Sequence, residues 1–126
     1  MDKISSVTII YFIGLFSTEL SRLDIIFDRN KVDAEFKVWS DDTQDYITKY
    51  RGSLEDTLKY IASDKSSIYT FQTNLGITHT TYYSFYYEND ELEAIVSIYK
   101  DKKQVYTTFG KVDEAAIKMK DYLINN

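Results

Sequence analysis

Two neighbouring runs of strict alternation constrain this chain most. Leu23, Ile25 and Phe27 alternate with Asp24, Ile26 and Asp28; after Arg29-Asn30, Val32, Ala34, Phe36 and Val38 alternate with Asp33, Glu35 and Lys37. A period of two means a strand with one buried face. Two such runs around a short polar link make a hairpin. With Arg29-Asn30 as the loop, Phe27 faces Val32, Ile25 faces Ala34 and Leu23 faces Phe36. These apolar pairs then share one side, and a slip of one residue would put them all in water. Such a turn needs a positive φ, which Asn tolerates better than Arg.

The same grammar runs through the chain. Val7 to Phe16 is an apolar run too short to cross a bilayer, which takes about 20 residues. It has one lysine before it and no clear cleavage site after it, so a buried strand is the better reading than a signal peptide. Ser40 to Asp45 is a polar connection, and Tyr46 to Tyr50 a fourth strand. Ser53 is a natural N-cap, with Glu55 and Asp56 complementing the positive helix start. Leu54, Leu58 and Ile61 form one apolar stripe, which Ala62 continues. Then come strands at 68–73, 77–87, 92–100 and 103–109, with Asn89-Asp90 and Asp101-Lys102 as hairpin loops. A second helix over 112–124 carries Val112, Ala115, Ala116, Met119 and Leu123 on its apolar stripe.

The order ββββα-ββββα predicts an α+β fold: a mainly antiparallel sheet of about eight strands, with two helices on its apolar face. Tight hairpins exclude parallel neighbours, because a parallel pair needs a long crossover. One curved sheet and two four-stranded sheets both fit. At 126 residues, the chain is expected to be a single domain. The order also suggests an internal duplication, 1–64 and 65–126. Gly52 would match Gly110, and Gly14 would match Gly76.

Composition narrows function by exclusion. With no cysteine, disulfides, thiolate nucleophiles and Cys-ligated zinc are ruled out. The lone histidine, His79, falls on the parity of the core-facing residues and reads as structural. The opening Asp28-Arg29-Asn30 looks like a calcium loop, but Val32 replaces the next ligand and the turn glycine is missing. No phosphate loop, dinucleotide fingerprint or nucleophile elbow occurs. We therefore expect no catalytic residues, no metal and no cofactor. Net charge is −5 with only three arginines, and no basic stripe is present, which argues against direct nucleic-acid binding. The missing cysteines fit a cytoplasmic protein without a membrane span. Scarce Gly, Ala and Pro beside abundant Ile, Lys and Tyr suggest an AT-rich genome, that of a low-GC bacterium or its phage.

What remains is surface. The chain has 12 tyrosines. Under the expected registers, Ile98 faces Val105 and Val96 faces Thr107 on the core side. The opposite side then gathers Tyr82, Tyr86, Tyr99 and Tyr106 with small hydroxyl residues. Tyrosine offers a large rigid area with a polar tip, which binding surfaces favour, although β-propensity alone also places it on strands. In the first half the same side is charged and solvated apart from Trp39. Two acidic groups flank these surfaces: Asp41, Asp42 and Asp45, and Glu88, Asp90, Glu91 and Glu93.

The expectation is a small acidic, non-enzymatic interaction protein that binds and blocks another protein with a basic surface. Its acids would steer the partner, while the tyrosines or Trp39 supply contact. In profile this is similar to immunity proteins against toxins and to phage-encoded inhibitors, and profile alone does not establish function. The alternative is a small-ligand binder taking a nucleotide or other planar group. Homo-oligomer contact through the tyrosine side is a further option.

Overall fold

The computed structural model describes residues 7–16, 19–75 and 78–125. Eight antiparallel strands and two helices follow one another in the expected order. They are β1 (Thr8–Phe16), β2 (Glu19–Asp28), β3 (Lys31–Ser40), β4 (Asp45–Ser53), α1 (Leu54–Ile61), β5 (Ile68–Leu75), β6 (His79–Glu88), β7 (Glu91–Lys100), β8 (Lys103–Lys111) and α2 (Val112–Asn125). The chain divides into two compact units, Met1–Ile61 and Ala62–Asn126. Gly76 and Ile77, which enter the expected duplication and the expected start of β6, lie outside the described residues.

In the first unit β1 pairs with β2, β2 with β3 and β3 with β4. The β2–β3 register is the one that alternation demands: Phe27 opposite Val32, Ile25 opposite Ala34, Leu23 opposite Phe36. All six side chains are buried. The turn differs in one respect. The positive φ, 59°, falls on Arg29 rather than on Asn30. A positive φ at the first central position alone is the type II′ pattern, whose twist suits a right-handed hairpin.

Helix α1 starts where Ser53 Oγ accepts the Asp56 N–H at 3.1 Å, an N-cap satisfying an otherwise orphaned donor. Leu54, Thr57, Leu58 and Ile61 form its buried side. The Thr57 hydroxyl donates to Ser53 O at 2.8 Å and lies 3.4 Å from Ala34 O, which ties the helix to β3. Ala62 is buried but follows the helix end instead of extending it.

The second unit repeats this plan. Strands β5 to β8 pair in sequence, with Phe85 opposite Ala94 and Ala94 opposite Gly110. That matches Ile25, Ala34 and Gly52 in the first unit. Each glycine stands two residues before its helix. Val112, Ala115, Ala116 and Met119 are buried on α2. Leu123, expected on the same stripe, is half-buried. The Tyr83 ring is fully buried, and its hydroxyl donates to Val112 O at 2.7 Å. The turns Asn89-Asp90 and Asp101-Lys102 both have positive φ at both central residues, the type I′ pattern.

One expectation about the sheet is overturned. Strand β8 does not pair regularly with β7. The register shifts between Ile98 and Tyr99, where Tyr99 meets Gln104 but Ile98 meets Tyr106. Val105 is the extra residue of a β-bulge, and beyond it every β8 side chain changes side. Val96 therefore faces Thr108, not Thr107, and Ile98 faces Tyr106, not Val105. Strand β4 has the same irregularity, with Phe36 opposite Tyr50 and Lys37 opposite Thr48, which leaves Lys49 extra.

Candidate interaction surfaces

Bulge geometry decides which aromatic side chains are available. Tyr106 belongs to the helix side of the second unit. Its ring stacks on Tyr122 of α2, with centroids 4.5 Å apart and planes 16° from parallel. It is thus removed from the outer group of tyrosines in which alternation had placed it. In the first unit Tyr50 likewise turns to the helix side and stacks on Tyr60 at 4.9 Å. His79 is half-buried, with Nδ1 2.9 Å from the Thr78 hydroxyl and its ring edge-on to Tyr122.

Tyr82, Tyr86 and Tyr99 do share the outer side. Tyr82 and Tyr99 meet edge to face at 5.8 Å. Cross-strand rungs give the rest of this surface. Ile68, Tyr86, Glu93 and Lys111 form one row; Thr70, Ser84, Ile95 and Phe109 the next; Gln72, Tyr82, Ser97 and Thr107 a third. Phe109 is 75% exposed, Ile68 70% and Ile95 40%. Phe109 was missed because regular pairing would have set it against Ala94 in the core. The detectable signal was the parallel between Ala34–Gly52 and an Ala94–Gly110 rung, which forces the residue before the glycine outward.

The first unit fills the corresponding rungs differently. Glu35 faces Arg51 where Ile95 faces Phe109. Arg51 Nη2 lies 3.2 Å from Glu35 Oε2, and the Thr48 hydroxyl donates to the same oxygen. Next to them, Arg22 forks onto Asp24 at 2.6 and 3.3 Å, and Lys37 reaches the same carboxylate at 3.0 Å. Asp24 is 6% exposed, so within the expected solvated charge one carboxylate is buried beneath partners that stay partly in water. The Arg22 guanidinium also lies over the rings of Tyr11 and Tyr46, at 4.8 and 5.8 Å. Hydrogen bonding to Asp24 raises the Arg22 pKa above its ordinary value.

Trp39 packs edge-on against Tyr46 and donates its indole N–H to Asp41 Oδ1 at 3.0 Å. Asp41, Asp42 and Asp45 are exposed at the β3–β4 turn. That turn is pinned by Gln44 N–H to Ser40 O and by the Gln44 side-chain amide to Asp41 O, both 2.8 Å. The other acidic group belongs to the second unit, at the β6–β7 hairpin. Asp90 pairs with Lys65 at 3.2 Å, and Lys111 Nζ lies 2.7 Å from Glu91 and 3.9 Å from Glu93. Lys111 holds the Glu91 carboxyl below its usual range, and Glu91 in turn raises Lys111.

Among the described residues, no group of three or more His, Asp or Glu is arranged to hold a metal ion, and no helix is long and apolar enough to cross a membrane. No family model, curated protein or solved structure matches the chain.

Proposed function

We propose that the chain is a non-catalytic binding protein that occupies and blocks a basic surface of another protein in the cytoplasm, in the manner of an immunity protein or a phage-encoded inhibitor. One observation carries this reading. On equivalent rungs, the first unit closes its outer side with the Glu35–Arg51 pair, whereas the second places Ile95 and Phe109 in water. The first unit also exposes Ile9 and Tyr11, and what sets the second apart is an apolar pair at the middle of its outer side, where an interface can cover both side chains. Aromatic residues that become buried at the centre of an interface are where binding energy concentrates. The acids around both units add long-range attraction for a cationic partner.

The test is affinity capture with the tagged full chain at low and high salt, followed by an assay of the captured protein's own activity with and without the chain. The expected result is one stoichiometric basic protein that dissociates at high salt and is inactive while bound. Reversing Asp41, Asp42 and Asp45, together with Glu88, Asp90, Glu91 and Glu93, should slow association and flatten its salt dependence. Unchanged association after those reversals sinks the electrostatic part of the reading.

A further inference from the structure

Resting on that reading, we infer that the partner docks face-on against the outer side of β6, β7 and β8, presenting an apolar side chain to Ile95 and Phe109 and an arginine or lysine to Glu88 and Glu91. The argument begins with charge. The described residues on this side carry three carboxylates, Glu88, Glu91 and Glu93, and one cation, Lys111. All four lie toward one end of the rows, so the surface is apolar and hydroxylic in its middle and negative at its margin.

Glu88 and Glu91 face each other on the last rung before the Asn89-Asp90 turn. Like charges directly opposite destabilise a hairpin. Lys111 relieves one of them, contacting Glu91 at 2.7 Å, while Glu88 has no ion pair among the described residues. A cation supplied from outside removes the remaining repulsion. Tyr86, opposite Glu93, is on the next rung of the same side, two residues along each strand. The first unit shows the same chemistry satisfied internally: Arg22 forks onto Asp24 while lying over Tyr11. A guanidinium gains from a carboxylate and a ring at once.

Docking by strand addition is disfavoured. The outer strand β8 carries lysine at both ends, Lys103 and Lys111, and is bent by the bulge at Val105. Lysines and bulges are the devices that keep sheet edges from accepting another strand. The edge is guarded and the face beside it is not.

The test selects binders from a displayed library of helical peptides with randomised exposed positions, using the full chain as bait. Enriched peptides should combine arginine or lysine with a large apolar residue. Phe109→Asp, and separately the pair Glu88→Lys and Glu91→Lys, should each weaken binding at least tenfold. At high salt, where long-range attraction is screened, the pair Asp41→Asn and Asp42→Asn, on the other unit, should change it less than twofold. Circular dichroism confirms that each variant is folded. No enrichment, enrichment of acidic peptides, or equal binding to Phe109→Asp overturns the inference. A natural partner still captured by Phe109→Asp would overturn this docking face while leaving the blocking function standing.

Discussion

Phe109 of β8 stands directly opposite Ile95 of β7, and both side chains are exposed. Neither residue supports the core from there. Replacing Phe109 with Asp should cost about 1 kcal/mol, from lost strand propensity and the lost cross-strand pair with Ile95, well below the cost of a buried aromatic. Urea denaturation of the purified variant measures this, and a large loss would mean that the ring packs against something.

Gly110 has a φ of 149°, and a Cβ built on it meets nothing within 4 Å. Space is therefore not what requires glycine; backbone conformation is. Gly110→Ala should cost about 1–3 kcal/mol, the usual strain of a side chain in that region. At Gly52 the reason differs, since a Cβ would come within 3.2 Å of the Tyr50 ring. Thermal unfolding of both alanine variants, with a crystal structure of each, separates strain from displacement of Tyr50.

Removing one oxygen tests the Tyr83 anchor. Its hydroxyl is buried and donates to Val112 O, and burial pushes its ionisation well above the ordinary tyrosine value. Tyr83→Phe should lose about 1 kcal/mol, the net worth of one neutral hydrogen bond. Denaturant titration at neutral pH gives the difference.

Asp24→Asn removes the anion that Arg22 and Lys37 share. Those two side chains remain 31% and 22% exposed, so water offsets part of the loss. We expect about 1–2 kcal/mol of destabilisation, below the range of a fully buried pair. The loss should persist in high salt if the enclosed geometry is correct; near-complete screening by salt would contradict it.

The Glu91–Lys111 pair sets a pH window. Glu91 is lowered from 4.5, so its contribution is present above that value and is lost as pH falls through the lowered one. Lys111 is raised from 10.5, so its contribution is present below that value and is lost as pH rises through the raised one. Carboxyl chemical shifts recorded against pH should show Glu91 titrating below 4.5, and Lys111→Met should return it toward that value.

Hairpins were the readable part of this chain. Apolar parity around Arg29-Asn30 and Asn89-Asp90 leaves one register that buries Phe27 with Val32 and Phe85 with Ala94. Helix α1 was equally plain, because Ser53 and the Leu54–Leu58–Ile61 stripe announce a cap and a buried side. Bulges were not readable. Lys49 and Val105 are extra residues with no special chemistry, yet each inverts the parity of the strand beyond it. That left Phe109 out of the exposed group and put Tyr106 into it. The network around Asp24 was also out of reach, since Arg22, Lys37, Tyr11 and Tyr46 come from four strands.

The bulge at Val105 also leaves β8 two ladders to choose between as the second unit assembles. If β8 zips onto β7 from the Asp101-Lys102 turn, Lys103 and Gln104 take their places first, and Val105 is the next residue to arrive. A ladder that accepts it continues smoothly and carries Phe109 toward Ala94, where α2 has to seat. The productive ladder must pass over Val105 before Phe109 has been placed. On that route, commitment between the competing and the native pairing falls close to the turn, and reversing a wrong choice means melting the strand back to it.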